Sequence, residues 1–544
     1  MGKLVSLAGS WQGFVREPAR SALAEQLSRY AREQRWYRSK ATPLEKSAIE
    51  EVFLFGEAST SNHCLVVLGV GLKDGTSESY VMPLQFIAAS GLPEASSSLV
   101  AEVEIHVSER ALPSRGALID ASASRIFADT LLELLCGRRS LEGESAALSG
   151  ELFGRSGVAG DSLEPRFLPL EQSNSTICYG SSWLLKLLRK VEAGPNVELE
   201  MGQFLDSALP RARVPRPVGA LQMRSEGFAC TLAVVNEYVE NRGSAWSLTL
   251  ESLFTFFERV SNDEASVAAI PLPSAADAEC HDAVPEALLG LARPYFDWVR
   301  RLAERTAELH RALGSETREP GFGQEPLTLP HQYSLYEGAR RSLVRSFVAL
   351  REQQGSLPAE AAQLARRVLR AEPALLEQLR RIVHSQAAVT RIRCHGDYHL
   401  GQVLFSGDDF VIIDFDGEPG RPAAERRAKC SPLRDVAGML RSFAYAAETA
   451  LRSPQLRAED RARLAPWAEA FRAWVCVSFV QSYLVGIEGE AYCPPSRAAA
   501  SLLIEFYELE KALYEVEYEL NNRPLWLPVP LAGLARIALV RAGG

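Results

Sequence analysis

The chain has 544 residues, 47% of them hydrophobic, which at ~100–200 residues per domain is enough for roughly two to four domains or lobes. A net charge of -9, from 59 basic and 68 acidic residues, argues against a surface dedicated to nucleic acid, which would be basic. The nine cysteines show no metal-like spacing, the N-terminus lacks the apolar segment of a signal peptide, and no apolar run approaches the ~20 residues of a membrane span. We therefore expect a cytoplasmic protein with reduced thiols and with no nucleic-acid or membrane partner.

The first part of the chain is predicted to be rich in β-strands. Apolar runs separated by turn signals predict three strands within residues 49–87, and a helix before them. Residues 121–140 have the apolar spacing of an amphipathic helix. Further elements are strands in FLPLEQSNSTICYG, SWLLKLLRKV and TLAVVNEYVE, and a helix from about Asn196.

The second part of the chain is predicted to be mostly helical. The change falls at about Asn241, and a charged loop with its short flanking strands interrupts the helices. Residues 91–98 have the composition of a junction, and residues 261–287 that of an exposed loop. A β-rich half followed by a helical half, with charged loops where they meet, suggests two lobes around a cleft.

The charged loop HGDYHLGQVLFSGDDFVIIDFD carries the strongest chemical signal. Asp397 is followed five residues later by Gln402, the spacing of the Asp and Asn in the kinase pattern H-R-D-x-x-x-x-N. A short hairpin then leads to Asp414, at the place of the Asp in a kinase D-F-G. Carboxylates beside apolar strands are costly unless an ion or a partner offsets their charge. The sequence predicts phosphoryl transfer, with Asp397 as the base and Gln402 and Asp414 as ligands of Mg²⁺.

A nucleotide site is predicted upstream of this loop. Lys186 lies in an apolar strand, where a cation needs an anionic partner such as the α- and β-phosphates of ATP. Glu198 and Glu200 in the following helix could each pair with this lysine, and Glu200 is preferred. The remaining predicted ATP contacts are a phosphate-covering turn with Ser173, Asn174 and Ser175, and the strand end Glu237, Tyr238 and Val239, which would meet adenine.

Asp435 has two interpretations. Ser431-Pro432-Leu433-Arg434-Asp435 has the Ser, Pro and early acidic residue that begin a helix. Alternatively, Asp435 reaches back and holds the catalytic loop. The residues do not favour one interpretation over the other.

A long amphipathic helix near the C-terminus is the candidate acceptor site. Its apolar stripe consists of Leu502, Phe506, Leu509, Leu513, Val516 and Leu520. Tyr507, Lys511, Tyr514 and Tyr518 fall together on the opposite face. Aromatic rings stack on the apolar faces of sugars, and polar groups bond sugar oxygens, so this face could bind a sugar. Packing against another helix or an N-terminal cap is the alternative.

With these residues assembled, the chain resembles the bacterial maltokinases, including the maltokinase modules fused to trehalose synthase. The resembling segments are QRWYRSK, EQSNSTICYG, LLKLLRKVEAGPN, AERTAELH, HGDYHLGQVL, DFVIIDFDGEP, ERRAKCSPLRDVAGMLRSF and EKALYEVEYELNNRP. The resemblance implies an α+β, bilobal, protein-kinase-like fold of the aminoglycoside-phosphotransferase type. It predicts an N-terminal β-rich cap over residues 1–100, a nucleotide-binding part over 101–240 and a mostly helical lobe over 241–544.

The resemblance also implies an activity. This would be ATP- and Mg²⁺-dependent phosphorylation of maltose at its anomeric hydroxyl, which feeds α-glucan synthesis and suggests a functional partnership with trehalose synthase. Lys511, Tyr514 and Tyr518 would bind the disaccharide, together with His395 and with Asp416, which stands where the family has glutamate.

Two alternatives to a maltokinase remain open. One is a related kinase that phosphorylates glucosamine or an aminoglycoside, whose site should present extra carboxylates to the ammonium group of the substrate. The other is a non-catalytic protein that binds a sugar or a nucleotide, although Lys186, Asp397, Gln402 and Asp414 are all present.

Overall fold

A computed structural model describes most of the chain. The described residues are 4–40, 42–55, 62–91, 98–107, 112–137, 139–154, 163–168, 174–209, 213–261, 267, 270–273, 283–319, 321–383 and 389–539. The prediction for Ser173, and most of the predicted junction and exposed loop, lie outside these residues.

The chain divides into two compact units. The first unit comprises Met1–Asp206 and Pro215–Glu240, and the second comprises Ser207–Val214 and Asn241–Gly544. The main change from one unit to the other therefore falls where the sequence predicts the helical part to begin. The division of the first 240 residues into a cap and a nucleotide-binding part stays a prediction.

The first unit contains a mixed sheet built largely from the N-terminal residues. Its strands are β1 (Val5–Ala8), β2 (Leu44–Leu54), β3 (His63–Leu72), β4 (Ser77–Ala88), β5 (Leu99–His106), β6 (Ser114–Asp120) and β12 (Lys190–Val191). The order is β1-β5-β6-β4-β3-β2, with β12 paired to β4, and the β1–β5 pairing is parallel. Helix α1 (Ala19–Glu33) packs on this sheet, and Leu23, Leu27 and Val66 are buried between them.

The second sheet of this unit is antiparallel. Its strands are β7 (Leu141–Glu142), β8 (Ala146–Leu152), β9 (Pro165–Phe167), β10 (Ser175–Tyr179), β11 (Trp183–Leu187), β13 (Pro217–Ser225) and β14 (Phe228–Glu237). The order is β7-β8-β13-β14-β11-β10-β9, so β11 lies between β14 and β10. Two helices accompany this sheet, α2 (Arg125–Leu135) and α3 (Val197–Ala208).

The second unit is mainly helical. Its helices are α4 (Ala245–Ser261), α5 (Glu286–Leu313), α6 (Leu329–Gln353), α7 (Ala359–Arg370), α8 (Glu372–Arg380), α9 (Ala423–Arg426), α10 (Leu433–Leu451), α11 (Ala458–Gly486), α12 (Arg497–Asn522) and α13 (Pro528–Leu539). It also contains two short antiparallel strand pairs, β15 (Glu325–Pro326) with β16 (Thr390–Arg391) and β17 (Val403–Phe405) with β18 (Phe410–Ile412). Within the described residues, no helix has both the length and the apolar character needed to cross a membrane.

Most of the predicted elements are confirmed. The three strands expected within residues 49–87 are β2, β3 and β4, and the helix expected within residues 121–140 is α2. The C-terminal amphipathic helix is α12, and five of the six residues of its predicted apolar stripe are buried, Leu502 being only partly covered. The sequence analysis did not predict β1, β5–β9 or β13.

Candidate active site

The loop that carries Asp397 is anchored by the first turn of α10. The main-chain N–H groups of His395 and Gly396 donate to the two carboxylate oxygens of Asp435, at 2.8 and 3.0 Å. Gly438, one turn later, lets the helix approach the loop, because a Cβ there would lie 2.6 Å from the carbonyl oxygen of Tyr398. Both interpretations of Asp435 are therefore correct, since it lies in the first helical turn and holds the loop.

A buried histidine completes this anchor. His310 of α5 contacts Asp435 Oδ2 through Nε2 at 3.1 Å, and the Tyr483 hydroxyl through Nδ1 at 2.8 Å. Burial would raise the pKa of Asp435, but the hydrogen bond and charge of His310 lower it. The carboxylate therefore stays ionised and can accept both main-chain N–H groups of the loop.

His395 is a structural residue of this loop. Its ring is 1% exposed, contacts the carbonyl oxygen of Ile413 through Nε2 at 2.9 Å, and packs against Tyr398 and Phe415. A ring that is buried and bonded to the main chain in this way is not placed to contact a sugar. The predicted substrate contact by His395 is therefore corrected to a role in holding the loop.

Asp397 lies beside Lys511 of α12. Lys511 Nζ is 3.2 Å from Asp397 Oδ1 and 2.7 Å from Glu418 Oε1. Burial alone would lower the pKa of Lys511, but the charges of Asp397 and Glu418 raise it. The predicted base and the predicted sugar-binding lysine thus meet in one cluster, joined by a glutamate that the sequence analysis did not assign.

Glu418 is the most buried carboxylate of this cluster. Besides Lys511, it contacts the guanidinium groups of Arg421 and Arg434. Burial would raise the pKa of Glu418, but these three cations together lower it to about 2. Both arginines also approach Glu510, at 3.4 and 3.7 Å, so a network of alternating charges is built on α10, α12 and the segment between β18 and α9.

A pocket that is partly open to solvent lies at this cluster. It is lined by Gly396, Asp397, Tyr398, Glu418, Arg421, Arg434, Asp435, Gly438, Tyr507, Glu510, Lys511 and Tyr514. Tyr514 thus joins Lys511 at the pocket, and the lysine Nζ lies 5.0 Å from its ring centroid. Tyr518 is 44% exposed and stacks on Tyr514 with 6.5 Å between ring centroids, but it is not one of the lining residues.

The predicted metal ligands lie next to each other. Gln402 Nε2 donates to Asp414 Oδ2 at 2.8 Å, and a rotation of the amide would present its oxygen to the same point. Asp414 has a positive φ of 64°, which is uncommon for a residue other than glycine. Mg²⁺ is typically held by one or two protein oxygens together with phosphate oxygens and water, so this pair fits the ion. Neither here nor in the rest of the described residues does a group of three His, Cys, Asp or Glu side chains form a metal site.

Asp416 has a partner outside the pocket. Its Oδ1 lies 2.5 Å from Arg426 Nη1, which also donates to the Asp416 carbonyl oxygen at 2.7 Å. Asp416 is also not one of the lining residues of the pocket. The observed role of its carboxylate is therefore to hold α9, and contact with substrate stays a prediction.

In the first unit, Lys186 of β11 forms its ion pair with Glu198. Lys186 Nζ is 2.6 Å from Glu198 Oε2, and both side chains are largely buried. The preference for Glu200 is wrong, because residues two apart on an α-helix are turned by about 200° from each other. Asn236 of β14 also donates to Glu198, at 3.4 Å, and orients it.

The predicted phosphate-covering turn is described from Asn174 onward. The Ser175 hydroxyl is buried and accepts from Arg189 Nε at 2.9 Å, so it faces the protein interior. The main chain of Asn174 and Ser175 lies at the start of β10, directly beside the strand that bears Lys186. Phosphate contact by this turn stays a prediction, with the Ser175 side chain assigned to the interior.

The predicted adenine contacts lie at the end of β14. The N–H groups of Glu237 and Tyr238 donate to the carbonyl oxygens of Arg216 and Ser182, both at 2.8 Å. The first unit ends two residues after Tyr238, at Glu240. Contact between adenine and Glu237, Tyr238 or Val239 stays a prediction.

Sequence reasoning missed Glu418, Glu510, Arg421 and Arg434. Glu418 stands two residues after the D-F-D motif, and Arg434 stands directly before Asp435. These positions could have identified Glu418 and Arg434 as site residues, since charged residues beside catalytic motifs are candidates for the same site. Glu510 carried a weaker signal, because it lies beside Lys511 on the helix already assigned to the acceptor.

Comparison with known proteins identifies a phosphotransferase signature in the second unit. Residues 285–470 match the model of the Phosphotransferase enzyme family, APH. The matched range includes Asp397, Gln402, Asp414 and Asp435, and it ends before α12. The match supports an enzyme of the kinase type.

Two sequence relatives are glucosamine kinases. The protein from Mycolicibacterium smegmatis is 26% identical over 375 residues, which are 68% of this chain and 78% of that protein. The protein from Streptacidiphilus jiangxiensis is 22% identical over 404 residues, or 72% of this chain and 77% of that protein. By name, both relatives act on glucosamine rather than on maltose.

Solved structures support the fold. A glucosamine kinase in complex with glucosamine, ADP and inorganic phosphate has a TM-score of 0.57 at 20% identity, covering 92% of this chain and 96% of that chain. Crystal form B of a glucosamine kinase has a TM-score of 0.54 at 19% identity, with the same coverage. The predicted α+β, kinase-like fold of the aminoglycoside-phosphotransferase type is confirmed.

Proposed function

We propose that this protein is an ATP-dependent kinase that phosphorylates an amino sugar, with glucosamine as the leading acceptor. The observation that carries the proposal is the charge of the pocket at Asp397. Four carboxylates line it, from Asp397, Glu418, Asp435 and Glu510, against three cations, from Arg421, Arg434 and Lys511. Asp435 is balanced by His310, so Asp397 and Glu510, whose side chains are partly exposed, are the carboxylates that a substrate ammonium group would reach.

The residues suit phosphoryl transfer to a hydroxyl. Asp397 directly follows His395 and Gly396, whose N–H groups are held by Asp435. It would orient the acceptor hydroxyl and accept its proton. Lys511, which bonds Asp397, would keep the carboxylate in one orientation. Gln402 and Asp414 would hold Mg²⁺, which screens the phosphate charge, and Lys186, oriented by Glu198, would bind the phosphates of ATP.

The comparisons support glucosamine more than maltose, which is the acceptor that the resemblance to maltokinases implies. Both sequence relatives are named glucosamine kinases and align with more than two thirds of this chain. A solved structure of similar fold contains glucosamine and ADP. The amino-sugar alternative from the sequence analysis therefore becomes the main proposal.

Maltose is the second candidate because of one observation. Tyr514 at the pocket stacks on the half-exposed Tyr518, so two parallel rings extend from the pocket towards solvent. Such a surface could support the second ring of a disaccharide. Partnership with trehalose synthase would follow only for this candidate.

A comparison of acceptors tests the proposal. The purified full chain is incubated with Mg²⁺-ATP and with glucosamine, glucose, maltose or kanamycin, and ADP release is measured. We expect kcat/KM for glucosamine to exceed that for glucose by roughly tenfold or more, because glucose lacks the charged group. Equal values for the two monosaccharides would contradict recognition of the amine, and turnover with maltose alone would favour the second candidate.

A further inference from the structure

The first unit contains a buried ion pair between its two sheets. Arg189 follows Lys186 by three residues and is 1% exposed. Its Nη2 lies 3.0 Å from Asp120 Oδ2, at the end of β6, and the aspartate side chain is 5% exposed. Tyr30 of α1 donates its hydroxyl to the same carboxylate at 3.4 Å.

The other contacts of Arg189 reach both sheets. Nη1 donates to the carbonyl oxygen of Val81 in β4 at 3.3 Å, and the guanidinium lies over the ring of Trp36 at 5.2 Å. Nε donates to the Ser175 hydroxyl in β10 at 2.9 Å, and the main-chain N–H of Arg189 donates to Asn174 Oδ1 at 3.4 Å. One side chain therefore connects the N-terminal sheet to the turn beside Lys186.

The order of the strands along the chain also connects the N-terminal sheet to the strand of Lys186. The strand β11, which bears Lys186, is followed at once by β12, and β12 pairs with β4 of the N-terminal sheet through Lys190–Tyr80 and Val191–Ser79. The strand that positions the lysine is therefore fixed at its C-terminal end by the N-terminal sheet. Arg189 lies at the point where the chain passes from one sheet to the other.

Stability alone is a weak reason to bury this pair. The cost of removing two charges from water offsets most of their attraction, and apolar residues of similar size often serve folding as well. An arginine with its donors directed to fixed partners does provide orientation, which apolar packing does not. The side-chain partners here include Ser175 of the predicted phosphate-covering turn, and the main-chain N–H of Arg189 holds Asn174 of the same turn.

We propose that Arg189 is a positioning residue for the nucleotide, which couples the N-terminal sheet to ATP affinity by fixing Asn174, Ser175 and the strand of Lys186. This inference depends on the proposed function, because it assigns ATP to this turn. Arg189 itself does not touch the nucleotide. The N-terminal sheet would thereby form part of the nucleotide site through its contact with Arg189.

The test compares Arg189→Lys with Glu51→Gln in the full chain. Glu51 is also buried in the first unit, but its carboxylate accepts from Ser145 rather than from the turn at Asn174. Both variants lose buried polar contacts, so thermal stability should fall in both. The readouts are calorimetric affinity for Mg²⁺-ATP without sugar, and KM for ATP and for sugar.

We expect Arg189→Lys to weaken ATP binding roughly tenfold or more through misplacement of the phosphate contacts, with the KM for sugar unchanged. Glu51→Gln should keep the ATP affinity of the unmodified chain. Ser175→Ala removes one bond to Arg189 and should also weaken ATP binding, which covers the case in which Arg189→Lys does not fold.

Unchanged ATP affinity in the folded Arg189→Lys or Ser175→Ala variant, or an equal loss in Glu51→Gln, would overturn the inference. Absence of ATP binding by the unmodified chain would instead overturn the proposed function, and this inference with it.

Discussion

At the scale of single residues, the proposed chemistry depends on the bonds that Lys511 makes. Its ammonium group joins the proposed base, Asp397, to the buried Glu418, and burial makes both contacts stronger than they would be in water. Glu418 in turn is balanced by Arg421 and Arg434. Each carboxylate of the pocket is therefore held by a defined partner before any substrate arrives.

Replacing the proposed base should remove turnover without removing nucleotide binding. Asp397→Asn keeps the shape of the side chain but cannot accept a proton, and general-base catalysis contributes roughly 10²–10⁴-fold to a rate. We expect kcat to fall by about that factor and the affinity for ATP to be retained. The matched control is Asp408→Asn, an exposed aspartate in the turn between β17 and β18, which should keep full activity. Activity of Asp397→Asn close to that of the control would exclude Asp397 as the base.

Glu418 should make the stability of the protein depend on pH. The pKa of this carboxyl is lowered from 4.5 to about 2. A group whose pKa is lower in the folded state stabilises that state above its unfolded pKa, and the contribution is lost as the pH falls towards the folded pKa. Glu418→Gln should therefore cost roughly 3–5 kcal/mol of unfolding free energy at neutral pH, since it breaks a buried ion pair. The difference from the unmodified chain should shrink as the pH falls from about 4.5 to about 2.

Denaturant unfolding at a series of pH values measures this difference. Glu425→Gln is a suitable control, because Glu425 also approaches Arg421, at 3.7 Å, but its side chain is 59% exposed. Its substitution should change stability by roughly 0–1 kcal/mol. A cost for Glu418→Gln that did not depend on pH across this range would show that the charge of Glu418 is not what stabilises the cluster.

At the scale of secondary-structure elements, the ion pair between α3 and β11 allows two glutamates of one helix to be compared as partners of Lys186. Glu198 pairs with Lys186, whereas Glu200 is turned away on the same helix. We expect Glu198→Gln to lower kcat/KM for ATP by roughly tenfold, because Lys186 would lose the partner that orients it towards the phosphates. Glu200→Gln should lower kcat/KM for ATP less than Glu198→Gln does. Steady-state kinetics with varied ATP decides between them, and the reverse order of effects would restore the preference derived from sequence.

The helix α10 should control the rate through the catalytic loop. Asp435→Asn keeps one accepting oxygen but turns an NH₂ group towards the other loop N–H, so His395 and Gly396 can no longer both be held. We expect kcat to fall at least about tenfold while KM for ATP changes less, because the bonds lost are those of His395 and Gly396, which are not among the proposed ATP contacts. An unchanged kcat in a variant shown to be folded would mean that α10 does not position the loop.

Elements could be predicted from the sequence where their residues show a clear hydrophobic periodicity or a cluster of charged side chains. The apolar stripe of α12 and the hairpin around Asp414 were predicted because both patterns are local. β5 was missed although Val103 and Ile105 alternate with outward-facing residues, so its signal was present and was not used. β8 carried little signal, because its sequence AALSGEL consists mainly of small residues, and its pairing with β13 joins segments distant in the chain.

At the scale of the whole molecule, the kinase-like α+β fold could be predicted because the motifs that carry the resemblance to a known kinase family occur in order along the chain. What could not be predicted are contacts between segments far apart in sequence. Lys511 with Asp397 and Arg189 with Asp120 join residues separated by 114 and 69 positions, and no local pattern specifies such pairs. Substrate identity depends on contacts of this kind, which is why the sequence resemblance to maltokinases and the pocket lead to different acceptors.

Identification of the reaction product tests the central claim most directly. The full chain is incubated with Mg²⁺-ATP and glucosamine, and the products are followed by phosphorus NMR, with Asp397→Asn as the blank. We predict that a sugar phosphomonoester accumulates in equal amount to ADP, and that it forms at least about a hundredfold more slowly with the variant. Consumption of ATP with release of inorganic phosphate alone, or no consumption with glucosamine while maltose is phosphorylated, would contradict the account.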